Sequence, residues 1–205
     1  MDSKVNLEEE NVKERIIRTS WSLFSSKGFD KTTLNDIITK ANISKGTFYY
    51  YFRSKDTLLN TLSVIFDEEY RKVEERTPEE LDSFEKLMFL NYEIHTYIGE
   101  NIDSSLLASQ YSAQLTNNDE SNLLDKNRYY FTILTKIIEE GQRKNELRSD
   151  LSVSEMVRLY GLCERAIVTD WCMNNGSYSL GEYSRKVMPL LCGKFRVEKD
   201  ASSEN

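Results

Sequence analysis

The sequence predicts an all-α protein: an N-terminal three-helix unit containing a helix-turn-helix, followed by a larger helical domain, about nine helices in all. Three observations carry this. Only two prolines, Pro78 and Pro189, and eight glycines interrupt 205 residues, so long stretches are free to form helix. Apolar residues recur at three- and four-residue intervals, and no strand-like alternation competes with them. Charge is also split along the chain. The total is −7, yet residues 11–57 hold nine cations against four carboxylates, which leaves −12 on the remainder. A basic head on an acidic body separates a module fit to face a polyanion from one that is not.

The first helix is expected over about 12–27, where Ile16, Ile17, Trp21, Leu23 and Phe24 share a face and Gly28 supplies the stop. Thr33 is a good N-cap with Asp36 three residues on, and Leu34, Ile37, Ile38 and Ala41 make a short amphipathic helix over 34–41. Asn42 and Ile43 interrupt it, and Asn42 tolerates the left-handed backbone of a tight turn. Ser44 then caps a third helix over 45–51. Ile43 and Phe48 are its core contacts, while Lys45, Gly46, Thr47, Tyr49 and Tyr50 face outward.

That outward surface has the character of a recognition helix, whose first residues enter the major groove. A glycine in the first turn of a helix costs roughly 1 kcal/mol against alanine, and close approach to another backbone explains Gly46. Lys45 and the tyrosine hydroxyls suit phosphates, and Thr47 suits a base edge or a thymine methyl. Tyr49, Tyr50 and Tyr51 equally fit an aromatic packing layer, Tyr51 most of all.

The run from Thr32 to Leu59, TTLNDIITKANISKGTFYYYFRSKDTLL, resembles the helix-turn-helix signature of the tetracycline-repressor (TetR) family. The resemblance implies a DNA-binding transcription regulator in which Thr33 and Ser44 contact the DNA backbone. It places Lys45, Gly46 and Thr47 nearest the bases, and has Tyr49, Tyr50 and Lys55 grip phosphates. Lys55 also stands at the start of a fourth helix, where an anion is favoured. Tyr51 and Asn42 depart from the pattern, which often has histidine and glycine there.

Helix four is expected from Ser54 to about Glu75, joining head to body. Thr77, Pro78 and Glu80 form a capping box with proline at the first helical position, so the next helix is expected from Pro78 to about Gly99. Further helices are expected over about 104–115, 120–145, 153–174 and 180–197, with Ser152 and Glu155 as another capping box and Gly176 as a stop. Pro189 should kink the last one. The domain boundaries are accordingly 1–53 and 54–198, with a polar tail over 199–205. IIEEGQRKNELRSDLS also looks like C-terminal domains of the family.

By resemblance, the last two long helices pair with their copies in a two-fold dimer, for which Tyr160, Cys163, Ile167, Trp171, Val187 and Leu191 are the candidates; the same stripes also fit an intramolecular core. A dimer is expected independently, because one short recognition helix reads few bases. Family members bind a small effector among the middle helices, which here carry Phe89, Tyr92, His95, Tyr97, Tyr111, Tyr129, Tyr130 and Phe131. Phe89, Tyr92, His95, Tyr111 and Tyr130 are the candidate ligand residues, although each also fits an aromatic core.

The partners expected are therefore a duplex operator, a second copy of the chain and a small-molecule effector, with no membrane, no cofactor and no metal. One histidine supports neither a histidine-rich metal site nor a serine-histidine triad. Cys163, Cys172 and Cys192 make no disulfide framework or zinc site. No apolar run approaches a membrane span, and residues 1–10 are polar and acidic, so a cytoplasmic protein is expected. A helical enzyme is disfavoured, since there is no Gly-rich phosphate loop and no nucleophile-base motif. The alternative is a helical adaptor that keeps the fold but acts through protein contacts. Glu164 and Arg165, within an apolar helix, fit either a dimer-register role or a solvent-facing one.

Overall fold

The computed structural model describes residues 11–116 and 123–197. Among them lie nine α-helices and no strand. The helices are α1 (Val12–Lys27), α2 (Leu34–Ala41), α3 (Lys45–Tyr51), α4 (Leu62–Arg76), α5 (Ser83–Asn101), α6 (Ser104–Thr116), α7 (Tyr129–Arg143), α8 (Val153–Met173) and α9 (Leu180–Cys192). Two compact units emerge, one of residues 11–65 with 109–116, the other of residues 66–108 with 123–197. Helix α4 begins in the first unit and ends in the second.

In the first unit, α1 buries Ile16, Ile17, Trp21 and Phe24, and α2 and α3 add Ile37, Ala41 and Phe48. Each of the isoleucine and phenylalanine side chains among them contributes roughly 1.5–3 kcal/mol by leaving water. Gly28 ends α1 at φ 86°, its N–H donating to Phe24 O. Thr33 and Asp36 form the expected capping box. Asn42 turns the chain at φ 50°. Trp21 Nε1 donates to Thr61 Oγ1 at 3.0 Å, which fixes α1 against the 3-10 turn Asp56–Thr61. That turn occupies the start of the expected fourth helix, which becomes α-helical only at Leu62.

The second unit departs from expectation in four places. Helix α5 starts at Ser83 rather than Pro78, because Thr77 Oγ1 donates backwards to Val73 O (2.7 Å) instead of capping forwards. Asp82 and Glu85 supply the capping box. Helix α7 starts at Tyr129; residues 123–128 form turns, and the expected beginning near Glu120 lies outside the described residues, as does the tail 199–205. Helix α9 contains Pro189 and ends at Cys192, not Val197. After it, a 3-10 turn (Gly193–Phe195) leads to a lone antiparallel bridge between Arg196 and Leu147. Finally, Glu164 is neither solvent-facing nor free for an interface: it is buried among α5, α7 and α8.

Candidate DNA-reading face and regulatory interior

Helix α3 is held by one side chain and one cap. Phe48 is fully buried, and Ser44 Oγ accepts the N–H of Thr47 at 2.9 Å. With Phe48 inward, the helix period turns Lys45, Gly46, Tyr49 and Tyr50 to the exposed side. Tyr50 is 81% exposed and Tyr49 49%. Lys45 Nζ sits 6.0 Å from the Tyr49 ring, at the outer limit of cation–π attraction. Thr47 is half-buried, its hydroxyl 2.8 Å from that of Ser44. A Cβ built on Gly46 would meet only Ser44 Oγ, at 3.7 Å. Among the described residues, no contact within the chain requires a glycine there.

Thr33 and Lys55 are engaged internally. Thr33 Oγ1 donates to Asp36 Oδ2 and accepts from Asp36 N. Lys27 Nζ, 2.6 Å from the same carboxylate, joins α1 to α2. The hydrogen bond from Lys27, then those from Thr33, hold the Asp36 carboxyl well below the usual carboxylate range. Lys55 Nζ donates to Phe29 O (2.7 Å) and Thr32 O (3.1 Å) and lies 4.0 Å from the Phe29 ring. It ties down the α1–α2 connection, with two of its three N–H groups spent there.

The second unit contains a buried polar network that joins four helices. Glu164 on α8 accepts from Tyr130 OH on α7 (2.7 Å) and from Asn91 Nδ2 on α5 (3.1 Å). Ser184 Oγ on α9 donates to Asn91 Oδ1. That leaves Ser184 Oγ to accept from His95 Nδ1 at 2.7 Å, so Nδ1 carries the proton and the unprotonated Nε2 faces Asn91 Nδ2 at 3.4 Å. Burial lowers the His95 pKa to about 3, keeping the ring neutral. Burial also raises the Glu164 pKa, opposed by the hydrogen bonds from Tyr130 and Asn91.

Of the candidate ligand residues, His95 and Tyr130 enter this network. Phe89 and Tyr92 are half-buried on α5, with Tyr92 OH donating to Glu182 Oε1 at 3.3 Å. Tyr111 belongs to the other unit. Asn91 and Ser184 are not singled out by the sequence, and Glu164 is singled out only for a dimer-register or solvent-facing role; the signal available for Asn91 is its position four residues before His95, on the same face of α5.

Of the candidate dimer residues, Tyr160, Ile167 and Trp171 are buried inside their own unit. Tyr160 OH donates to Leu87 O and Trp171 Nε1 to Tyr178 O. Cys163 and Val187 are half-buried. Leu191, the remaining candidate, is exposed, and so are Leu159, Leu162 and Met173 on α8 and Tyr183 and Leu190 on α9. Among the described residues there is no group of three or more His, Cys, Asp or Glu placed to hold a metal, and no helix is long and apolar enough to cross a membrane.

Comparison with known proteins agrees with this arrangement. The chain matches the model of bacterial regulatory proteins of the tetR family over residues 16–62, and that of the YsiA-like protein C-terminal region over residues 69–194. The HTH-type transcriptional regulator YerO of Bacillus subtilis is 55% identical over 47 residues, which are 23% of this chain and only 16% of that protein. The fatty acid metabolism regulator protein of the same organism is 23% identical over 180 residues, 86% of this chain and 92% of the relative. Among solved structures, the Thermus thermophilus repressor FadR in complex with lauroyl-CoA superposes with a TM-score of 0.65 at 21% identity, covering 94% of this chain and all of that one. The chain belongs to the tetR family of bacterial regulatory proteins and is a DNA-binding transcriptional regulator.

Proposed function

We propose that the protein is a homodimeric repressor that binds a two-fold operator through α3 and is released from it by a small amphipathic effector. The observation that carries the reading is the surface of α3. Lys45, Gly46, Tyr49 and Tyr50 are presented outward on a helix pinned by Phe48, and no contact among the described residues calls for glycine at position 46. Lys45, Tyr49 and Tyr50 are the phosphate contacts of this reading, and Gly46 and Thr47 lie against the bases. Thr33, Ser44 and Lys55 support that face through the caps and the tether described above. Two-fold pairing through the exposed edge of α8 and α9 gives the palindromic contact that one short helix lacks.

The effector enters the second unit, near the Tyr130–Glu164–Asn91–His95 network. The first class to try is an acyl thioester of coenzyme A, because lauroyl-CoA is the ligand named for the Thermus FadR complex.

Duplexes selected from random DNA, titrated by fluorescence anisotropy across a salt series, test the reading. Tight, palindromic, salt-sensitive binding that a Lys45→Ala/Tyr49→Ala variant loses is the expected result. Equal weak binding by both proteins, with no selected sequence, overturns it. Lauroyl-CoA added to the complex should then release the DNA; no release retires that effector class and leaves the repressor in place.

A further inference from the structure

Helix α7 starts without a side-chain cap of its own, since Arg128 at the N-cap position makes no such bond. The cap comes from α4. Asp67 Oδ2 accepts the N–H of Tyr129 at 3.1 Å, and Oδ1 accepts Arg128 Nη2 at 2.8 Å and the N–H of Tyr130 at 3.4 Å. The side chains of the Arg128–Asp67 pair are only 9% and 12% exposed. Arg128 Nη1 turns back to Leu123 O at 2.9 Å, so the entry into α7 folds onto the same carboxylate. A buried pair of this kind is costly to break from one side.

The connection then runs inward. The Tyr130 ring lies 5.3 Å from that of Tyr70, three residues further along α4. Its hydroxyl donates to Glu164, which leads through Asn91 to Ser184 on α9. Tyr130 therefore has its backbone on the α4 carboxylate and its hydroxyl in the buried network. A shift of Tyr130 by about 1 Å takes its N–H out of hydrogen-bond range of Asp67.

We propose that Asp67 is the latch that fixes α4 to the second unit in this chain, and that operator affinity depends on its contacts to Arg128, Tyr129 and Tyr130. This rests on the operator-binding reading above. With the latch loosened, the operator-competent arrangement is a smaller fraction of the population, and apparent affinity falls by that fraction.

The test compares Asp67→Asn, which keeps the shape and removes the charge, with Glu146→Gln. Glu146 Oε2 also caps a helix from a distance, accepting Ser83 N at 2.8 Å across 63 residues, but it is not on α4. Melting temperature and effector-free operator affinity at 25 °C are measured for both variants and the parent. Both variants should melt lower, and only Asp67→Asn should lose affinity, by about tenfold, the order of one charge-assisted hydrogen bond. Arg128→Lys, which keeps the charge but not the guanidinium geometry, is read in the same way should Asp67→Asn fail to fold. Unchanged affinity in Asp67→Asn, or equal losses in it and the control, overturns the latch and leaves the repressor reading standing. A parent protein that selects no operator overturns the repressor reading first, and the latch with it.

Discussion

Gly181 on α9 faces Thr96 on α5 so closely that a Cβ there would lie 2.1 Å from Thr96 Oγ1 and 3.0 Å from Thr96 Cα. The hydroxyl could rotate away, but the backbone carbon could not. Gly181→Ala should therefore destabilise the fold by about 1–3 kcal/mol, lowering Tm by roughly 3–10 °C for a chain of this size. Gly46→Ala should do the opposite, raising helix stability by up to about 1 kcal/mol while weakening operator binding. Paired thermal melts and anisotropy titrations check both; a Gly46→Ala protein that binds DNA as the parent does would remove the argument for close approach.

Lys55 separates an internal tether from a phosphate contact. Removing its two bonds to Phe29 O and Thr32 O by Lys55→Met should cost about 1–3 kcal/mol of stability. The salt dependence of operator binding should stay as in the parent. Lys45→Ala should instead leave Tm nearly unchanged and reduce the slope of log affinity against log salt by about 0.9 for each subunit, roughly 1.8 for the dimer. A reduced slope in Lys55→Met would return Lys55 to the phosphate contacts that the family resemblance gives it.

Acid should unfold the second unit partly through His95. Its native pKa is lowered to about 3, below the value of about 6.5 of an unfolded chain. As pH falls through 6.5 the unfolded state takes up a proton that the native state refuses, so stability falls from about pH 6.5 down to about pH 3 and levels off below. The loss amounts to several kcal/mol on an order-of-magnitude reckoning. Urea titrations of the parent and of His95→Asn over this range should show their difference changing with pH in that window and flat above it. Parallel curves would mean that the ring titrates as it does in water.

Local signals read well from the sequence, and distant ones did not. The boxes at Thr33 with Asp36 and Ser152 with Glu155, the stop at Gly28 and the turn at Asn42 all lie within one helical turn of the features they set. Phe48 inward and Tyr49 and Tyr50 outward follow from the same short period. Thr77 with Glu80 misleads because an equally good box, Asp82 with Glu85, stands five residues on, and the groups that favour the second, Glu146 on Ser83 N and Arg196 beside Asp82 and Glu85, are remote in sequence. Lys55 was read from its place in a motif, whereas its partners lie 23 and 26 residues away. Glu164 and Tyr160 looked like surface and interface candidates because an apolar stripe does not say which protein buries it.

The borrowed cap of α7 also bears on the order in which the chain acquires its structure. Asp67 and Tyr129 are 62 residues apart, so closing that contact carries the entropy of a long loop, while the boxes of α2, α5 and α8 close within four residues. The first turn of α7 should therefore gain protection later in refolding than those of α5 or α8, and the amides of Tyr129 and Tyr130 should exchange with solvent before the rest of α7 in the native protein.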